Sequence, residues 1–189
     1  MRIIVIPVND PPVPQARISP LAEFPGVTNL IVIAPNGTDA IVVLDGSQSF
    51  DVDDDTLGYV WLEGVTPLAS GVIATNPFGP GRHLIALRVS DGIEPRTTAV
   101  DFDVITPAEA TGIVAATVLA SDLATGRRMP LLASLNAAAT AFDGADFGSG
   151  IHHLLTVQRK AQQQVAPSNP ALAAQITSTV QVIINALEN

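Results

Sequence analysis

Cysteine is absent from this 189-residue chain, so neither a disulfide framework nor a thiolate site can be present. Aromatic residues are scarce at 4%, with one Trp and one Tyr. That leaves little for the exposed aromatic platform that would hold a sugar ring. Basic residues are few as well: nine Lys and Arg face eighteen Asp and Glu, a formal net charge of −9. Such a chain lacks the basic face that a nucleic-acid backbone demands. No uninterrupted apolar run approaches the roughly 18 residues of a membrane-spanning helix, so no membrane insertion is expected. The apolar stretch Arg2–Val8 is broken by Pro7 and is too short for a signal peptide. A secreted protein without a leader is expected to be a fragment or a mature form.

Catalytic patterns are missing too. There is no nucleophile elbow, phosphate loop or zinc-ligand spacing. His152 and His153 are consecutive, so on a helix they diverge by about 100° and cannot chelate as an i, i+4 pair would. His83 has no Ser or Cys beside it. These absences predict a protein that is not an enzyme.

What the chain does have is acid, unevenly placed. Residues 1–106 hold thirteen Asp and Glu against five Lys and Arg, whereas residues 107–189 hold five against four. The densest part follows the apolar β-branched run Ile41-Val42-Val43-Leu44, which reads as a strand ended by Asp45-Gly46. Asp51, Asp53, Asp54 and Asp55 then crowd into five residues. Charges this close repel, so the loop must be solvated or neutralised by a cation. Leu57, Tyr59 and Trp61 alternate along the next strand, which suits an aromatic held between two packed sheets.

The series Leu44, Asp45, Gly46, Ser47, Ser49, Asp51, Asp53, Asp55, Leu57, Tyr59 and Trp61 resembles the signature of the PKD domain, an immunoglobulin-like β-sandwich of extracellular proteins. Gly81, Leu87, Val89, Asp91 and Gly92 resemble its downstream motif. Asp54 stands where that family usually has Gly. The run Val8-Asn9-Asp10-Pro11-Pro12-Val13 resembles the junction between tandem cadherin-like or PKD-like repeats. Residues 2–8 would then be a strand pairing outside its own domain, foremost with a preceding repeat.

Further strands are expected over 13–18, 30–33, 40–44, 83–89 and 98–105, with a strand or loop over 65–73. Val100, Phe102 and Val104 should face inward and Asp101 and Asp103 outward. Beyond Thr106-Pro107 alanine is abundant and β alternation fades, which favours helix. Pro107 should open a helix ended by Thr125-Gly126, and Pro130 a second ended by Asp143-Gly144. Phe147 begins a third stripe, and Ser168-Asn169-Pro170 supplies the cap and start of a fourth. The expected fold is therefore mainly β plus α. It comprises a terminal strand or junction over 1–9, an Ig-like antiparallel β-sandwich over 10–106 and a small antiparallel helical bundle over 107–189.

Hard cations such as Ca²⁺ take six to eight oxygens, which Asp at alternate loop positions can offer. Asp51, Asp53 and Asp55 have that spacing, and the family resemblance adds Asn9 and Asp91 as ligands. The alternative is that Asp45, Asp51 and Asp55 only cap turns. Asn36-Gly37-Thr38 matches a glycosylation sequon. These readings imply a non-enzymatic, Ca²⁺-stabilised adhesion or assembly module of a larger bacterial surface or secreted protein. Its partners would be other domains or subunits of a surface assembly, or polysaccharide. Two alternatives are an accessory binding module of a secreted hydrolase and a filament or surface-layer subunit built by strand addition.

Overall fold

A computed structural model describes residues 8–188; the expected strand and pairing of residues 2–7 lie outside them. Eight strands precede four helices: β1 Arg17–Ser19, β2 Leu30–Ile33, β3 Ala40–Asp45, β4 Gly58–Glu63, β5 Thr66–Ser70, β6 Ile73–Phe78, β7 Gly81–Ser90, β8 Pro95–Ile105, α1 Pro107–Ala120, α2 Thr125–Asp143, α3 Phe147–Lys160 and α4 Pro170–Glu188. The strands form two sheets, ordered β1-β3-β6 and β2-β8-β7-β4-β5. The expected all-antiparallel arrangement does not hold. β2 runs parallel to β8, with Leu30 opposite Phe102 and Ile33 opposite Ile105. Alternation reveals which face of a strand is buried but not the direction of its neighbour, so this pairing leaves no trace in periodicity.

Two compact units emerge, and each gathers segments that are distant in sequence. The first contains residues 8–20, 41–76 and 83–101; the second contains 21–40, 77–82 and 102–188. In the first, Val42 and Leu44 of β3 are fully buried, as are Trp61 of β4 and Ile85, Leu87 and Val89 of β7. The Trp61 indole Nε1 donates to the Gly71 carbonyl at 3.1 Å, so its one polar atom stays satisfied inside a dry core. Gly46 follows β3 where a Cβ would come within 3.0 Å of the Leu87 side chain and 3.2 Å of the Tyr59 ring. Any larger residue there would have to push the Leu87 and Tyr59 side chains aside by a few tenths of an ångström.

The second unit is built on apolar packing. Ala22, Phe24, Ile31 and Ile33 join Val114, Val118, Leu131, Leu135, Leu154, Val157, Ile176, Val180 and Ile183 in one buried cluster. α1 starts on a capping box: the Thr106 hydroxyl receives Glu109 N–H, and the Glu109 carboxylate receives Thr106 N–H. Two expected boundaries shift. Ser121 ends α1, while Thr125-Gly126 open α2 and leave Pro130 inside it. Asp146 caps α3 as an acceptor from Ser149 N–H. After Lys160 the ladder widens into a π turn over Ala161–Val165. Asn169 then caps α4, its Oδ1 receiving Leu172 N–H at 3.0 Å. α4 is long and apolar enough by composition to cross a membrane, yet it buries Ile176, Val180, Ile183 and Ile184 within the protein.

Candidate metal centre

The acidic loop joins β3 to β4 and is shaped by its own side chains. Asp45 Oδ1 accepts Ser47 N–H at 2.8 Å, and Asp51 Oδ1 accepts Asp53 N–H at 2.8 Å. Both are local turns of the kind short Asp side chains favour. Asp54 has φ near +60°, a left-handed conformation that Asp tolerates better than most residues and glycine better still. This accounts physically for the expectation of Gly at that place.

The loop brings three of the five expected ligands together. Asp51, Asp53 and Asp55 each offer a carboxylate oxygen, and these oxygens lie within 4.8 Å of one another. Two ligands of one Ca²⁺, each about 2.3–2.6 Å from it, can be up to roughly 5 Å apart, so this spacing admits a shared ion. Without an ion each pair of charges repels by roughly 1 kcal/mol at water's dielectric and about 3–4 kcal/mol at an effective value near 20. Asp53 and Asp55 are exposed, but Asp51 is only 8% exposed, and its Oδ2 is buried with no hydrogen-bond partner. A buried acceptor orphaned in this way costs about 1–3 kcal/mol. A cation would remove both penalties at once.

Asp91 falls outside that group of oxygens, and Asn9 is bonded to it. Asn9 Nδ2 donates to Asp91 Oδ2 at 2.9 Å, while Asp91 Oδ1 receives Ile93 N–H at 2.7 Å and Glu94 N–H at 2.6 Å. The Asn9 amide first, and then the backbone N–H groups, hold the Asp91 carboxyl below its ordinary value. The Ser47 side chain does the same for Asp45. Asp10, which the ligand pattern passed over, touches the triad: its backbone N–H donates to Asp53 Oδ2 at 2.7 Å. The only signal for it was its place in the Asn9-Asp10 pair.

Elsewhere the chemistry is sparse among the described residues. His83 Nδ1 lies 2.8 Å from Glu63 Oε1 on adjoining strands. His152 and His153 diverge along α3, with ring centroids 6.1 Å apart. A shallow cavity in the second unit is lined by Leu21, Glu23, Phe24, Val27, Asn29 and Leu30 among others and gathers a single carboxylate.

No family model matches the chain, and no curated protein does either. Among solved structures, it is similar to a nucleoside hydrolase-related hypothetical protein from Saccharophagus degradans that is associated with carbohydrate metabolism. The identity is 20% and the TM-score 0.33, and the match covers 52% of this chain and 26% of that one. These findings correct three expectations. PKD membership is withdrawn. So is the non-enzymatic adhesion or assembly role, with its accessory-module and filament alternatives. The exclusion of enzymatic activity goes with them. The physical reason is visible in the loops: Asp45, Asp51 and Asp91 serve as turn acceptors, a use open to any acidic strand connection. At that TM-score the likeness assigns no activity to this chain.

Proposed function

We propose that the first unit is a divalent-cation-binding domain whose β3–β4 loop is completed by Ca²⁺. Asp51, Asp53 and Asp55 supply carboxylate oxygens, and loop carbonyls and water fill the remaining positions that so large a hard cation requires. The observation that carries this reading is the buried, unpartnered Oδ2 of Asp51 beside two further carboxylates. The strands that flank the loop and their neighbour β7 contribute Leu44, Trp61 and Leu87, all fully buried. The ion supplies charge neutralisation and a fixed loop geometry. With three carboxylates, one buried and two exposed, the dissociation constant should be about 10⁻⁴ to 10⁻³ M, the range of extracellular modules.

The test is calorimetric titration of the whole chain with Ca²⁺, alongside Asp51→Asn. The native chain should bind one ion, and the variant should bind at least tenfold more weakly. Absence of a binding heat in the native chain at millimolar Ca²⁺ would sink the proposal.

A further inference from the structure

The hydrogen bonds that fasten the segment entering the first unit run to the loops around the proposed cation, and this suggests what occupancy controls. Pro11, Pro12 and Pro14 have no N–H to give, so residues 9–15 can be fastened by few donors. Val13 N–H donates to the Phe50 carbonyl at 2.8 Å, and Phe50 N–H returns a bond to Val13 at 3.2 Å. Gln15 N–H donates to Ser49 Oγ at 2.9 Å. Asp10 N–H donates to Asp53 Oδ2 at 2.7 Å, and Asn9 Nδ2 to Asp91 Oδ2 at 2.9 Å. Phe50 adjoins Asp51, and Asp53 belongs to the carboxylate triad itself. Val8 is 81% and Val13 40% exposed, so the apolar burial of the segment comes from Pro12, with Pro11 and Pro14 half-buried.

Resting on the cation reading above, we infer that Ca²⁺ governs the docking of residues 9–13: the ion orders the loop that receives Asp10 and Val13, and its loss releases the segment. The acceptor for Asp10 is a carboxylate whose position depends on the balance of three like charges. Neutralising them fixes Asp53, whereas leaving them bare spreads the loop and withdraws the acceptor. Linkage makes the effect reciprocal, so a docked segment must raise cation affinity by the factor by which the cation favours docking.

Amide hydrogen exchange on the full chain, with Ca²⁺ and with EDTA, reads this directly. The Asp10 and Val13 amides should exchange at least tenfold more slowly with Ca²⁺, while core amides of α2 should be unaffected. Asn9→Ala, which leaves the triad intact, should weaken Ca²⁺ binding severalfold and abolish part of that protection. Calcium binding by calorimetry with unchanged Asp10 and Val13 exchange would overturn the docking inference and leave the cation reading standing. No binding at all would overturn both.

Discussion

The two units solve the same stability problem with different materials. The first surrounds a small apolar core with aspartates that cap turns, clasp a distant segment and crowd together at one loop. The second closes a continuous apolar cluster fed by all four helices and by Ala22, Phe24, Ile31 and Ile33. Polar turns and charge clusters respond to pH, salt and cations. Apolar packing responds to volume. One molecule therefore carries a condition-sensitive part and a condition-insensitive part. Its single Trp lies in the first, so Trp61 fluorescence reports that unit, while helical circular dichroism reports the second.

The sharpest way to break the contrast is to damage the apolar unit. Leu135→Ala removes a side chain that is 1% exposed and should cost about 2–5 kcal/mol. Gly150→Ala tests the opposite error, because a Cβ there would lie 2.3 Å from the Phe142 ring. The added methyl should cost about 1–3 kcal/mol through overpacking. Chemical denaturation followed by the 222 nm signal measures both. Neither loss should change on adding Ca²⁺; a calcium-dependent loss would mean that the helices answer to the cation.

The same contrast decides what the sequence could disclose. β2 over Leu30–Ile33 and the start of α3 at Phe147 were legible because apolar runs and helical stripes are local signals. Val100, Phe102 and Val104 were correctly assigned to the inner face, each being at most 8% exposed. Pro130 misled: a proline usually opens a helix, yet this one sits past the first turn of α2, where the ladder loses a single bond. The π turn at Ala161–Val165 leaves no pattern in so uniform a composition. At the loop, spacing revealed Asp51, Asp53 and Asp55 but could not show that Asn9 and Asp91 bond to each other. That depends on strands arriving from opposite ends of the domain.

Next in size is the cation effect. At about ten times its dissociation constant, Ca²⁺ should add roughly 1.4 kcal/mol to the first unit. Thermal melting followed by Trp61 fluorescence should move upward with Ca²⁺ and return with EDTA. Equal shifts in the helical signal would merge the two units into one cooperative transition and remove the contrast.

Acid should also act more on the first unit. Hydrogen bonds lower the carboxyls of Asp45 and Asp91 there, chiefly from Ser47 and Asn9, and Ser149 lowers that of Asp146 in the second. A carboxyl lowered by folding contributes stability that is present above its unfolded value of 3.8 and is lost as pH falls through the lower folded value. Below about pH 3.8 the stability read by fluorescence should therefore fall further than that read by the helical signal. Equal losses would show that Asp146 alone weighs as much as the pair.

The smallest effect separates backbone strain from charge at one residue. Asp54 occupies the left-handed region at φ near +60°, where glycine is free of the Cβ clash, so Asp54→Gly relieves strain in the folded loop. Glycine also widens the unfolded ensemble, which offsets part of the gain and leaves a net stabilisation of about 0.5 kcal/mol. In a protein of this size that corresponds to a rise of about 1–2 °C. The substitution also removes a carboxylate next to the crowded triad. If repulsion matters, the gain measured by Trp61 fluorescence should be larger in EDTA than in Ca²⁺. An equal gain in both buffers would assign the whole effect to backbone conformation. A loss confined to Ca²⁺ would instead make Asp54 a fourth ligand and redraw the site.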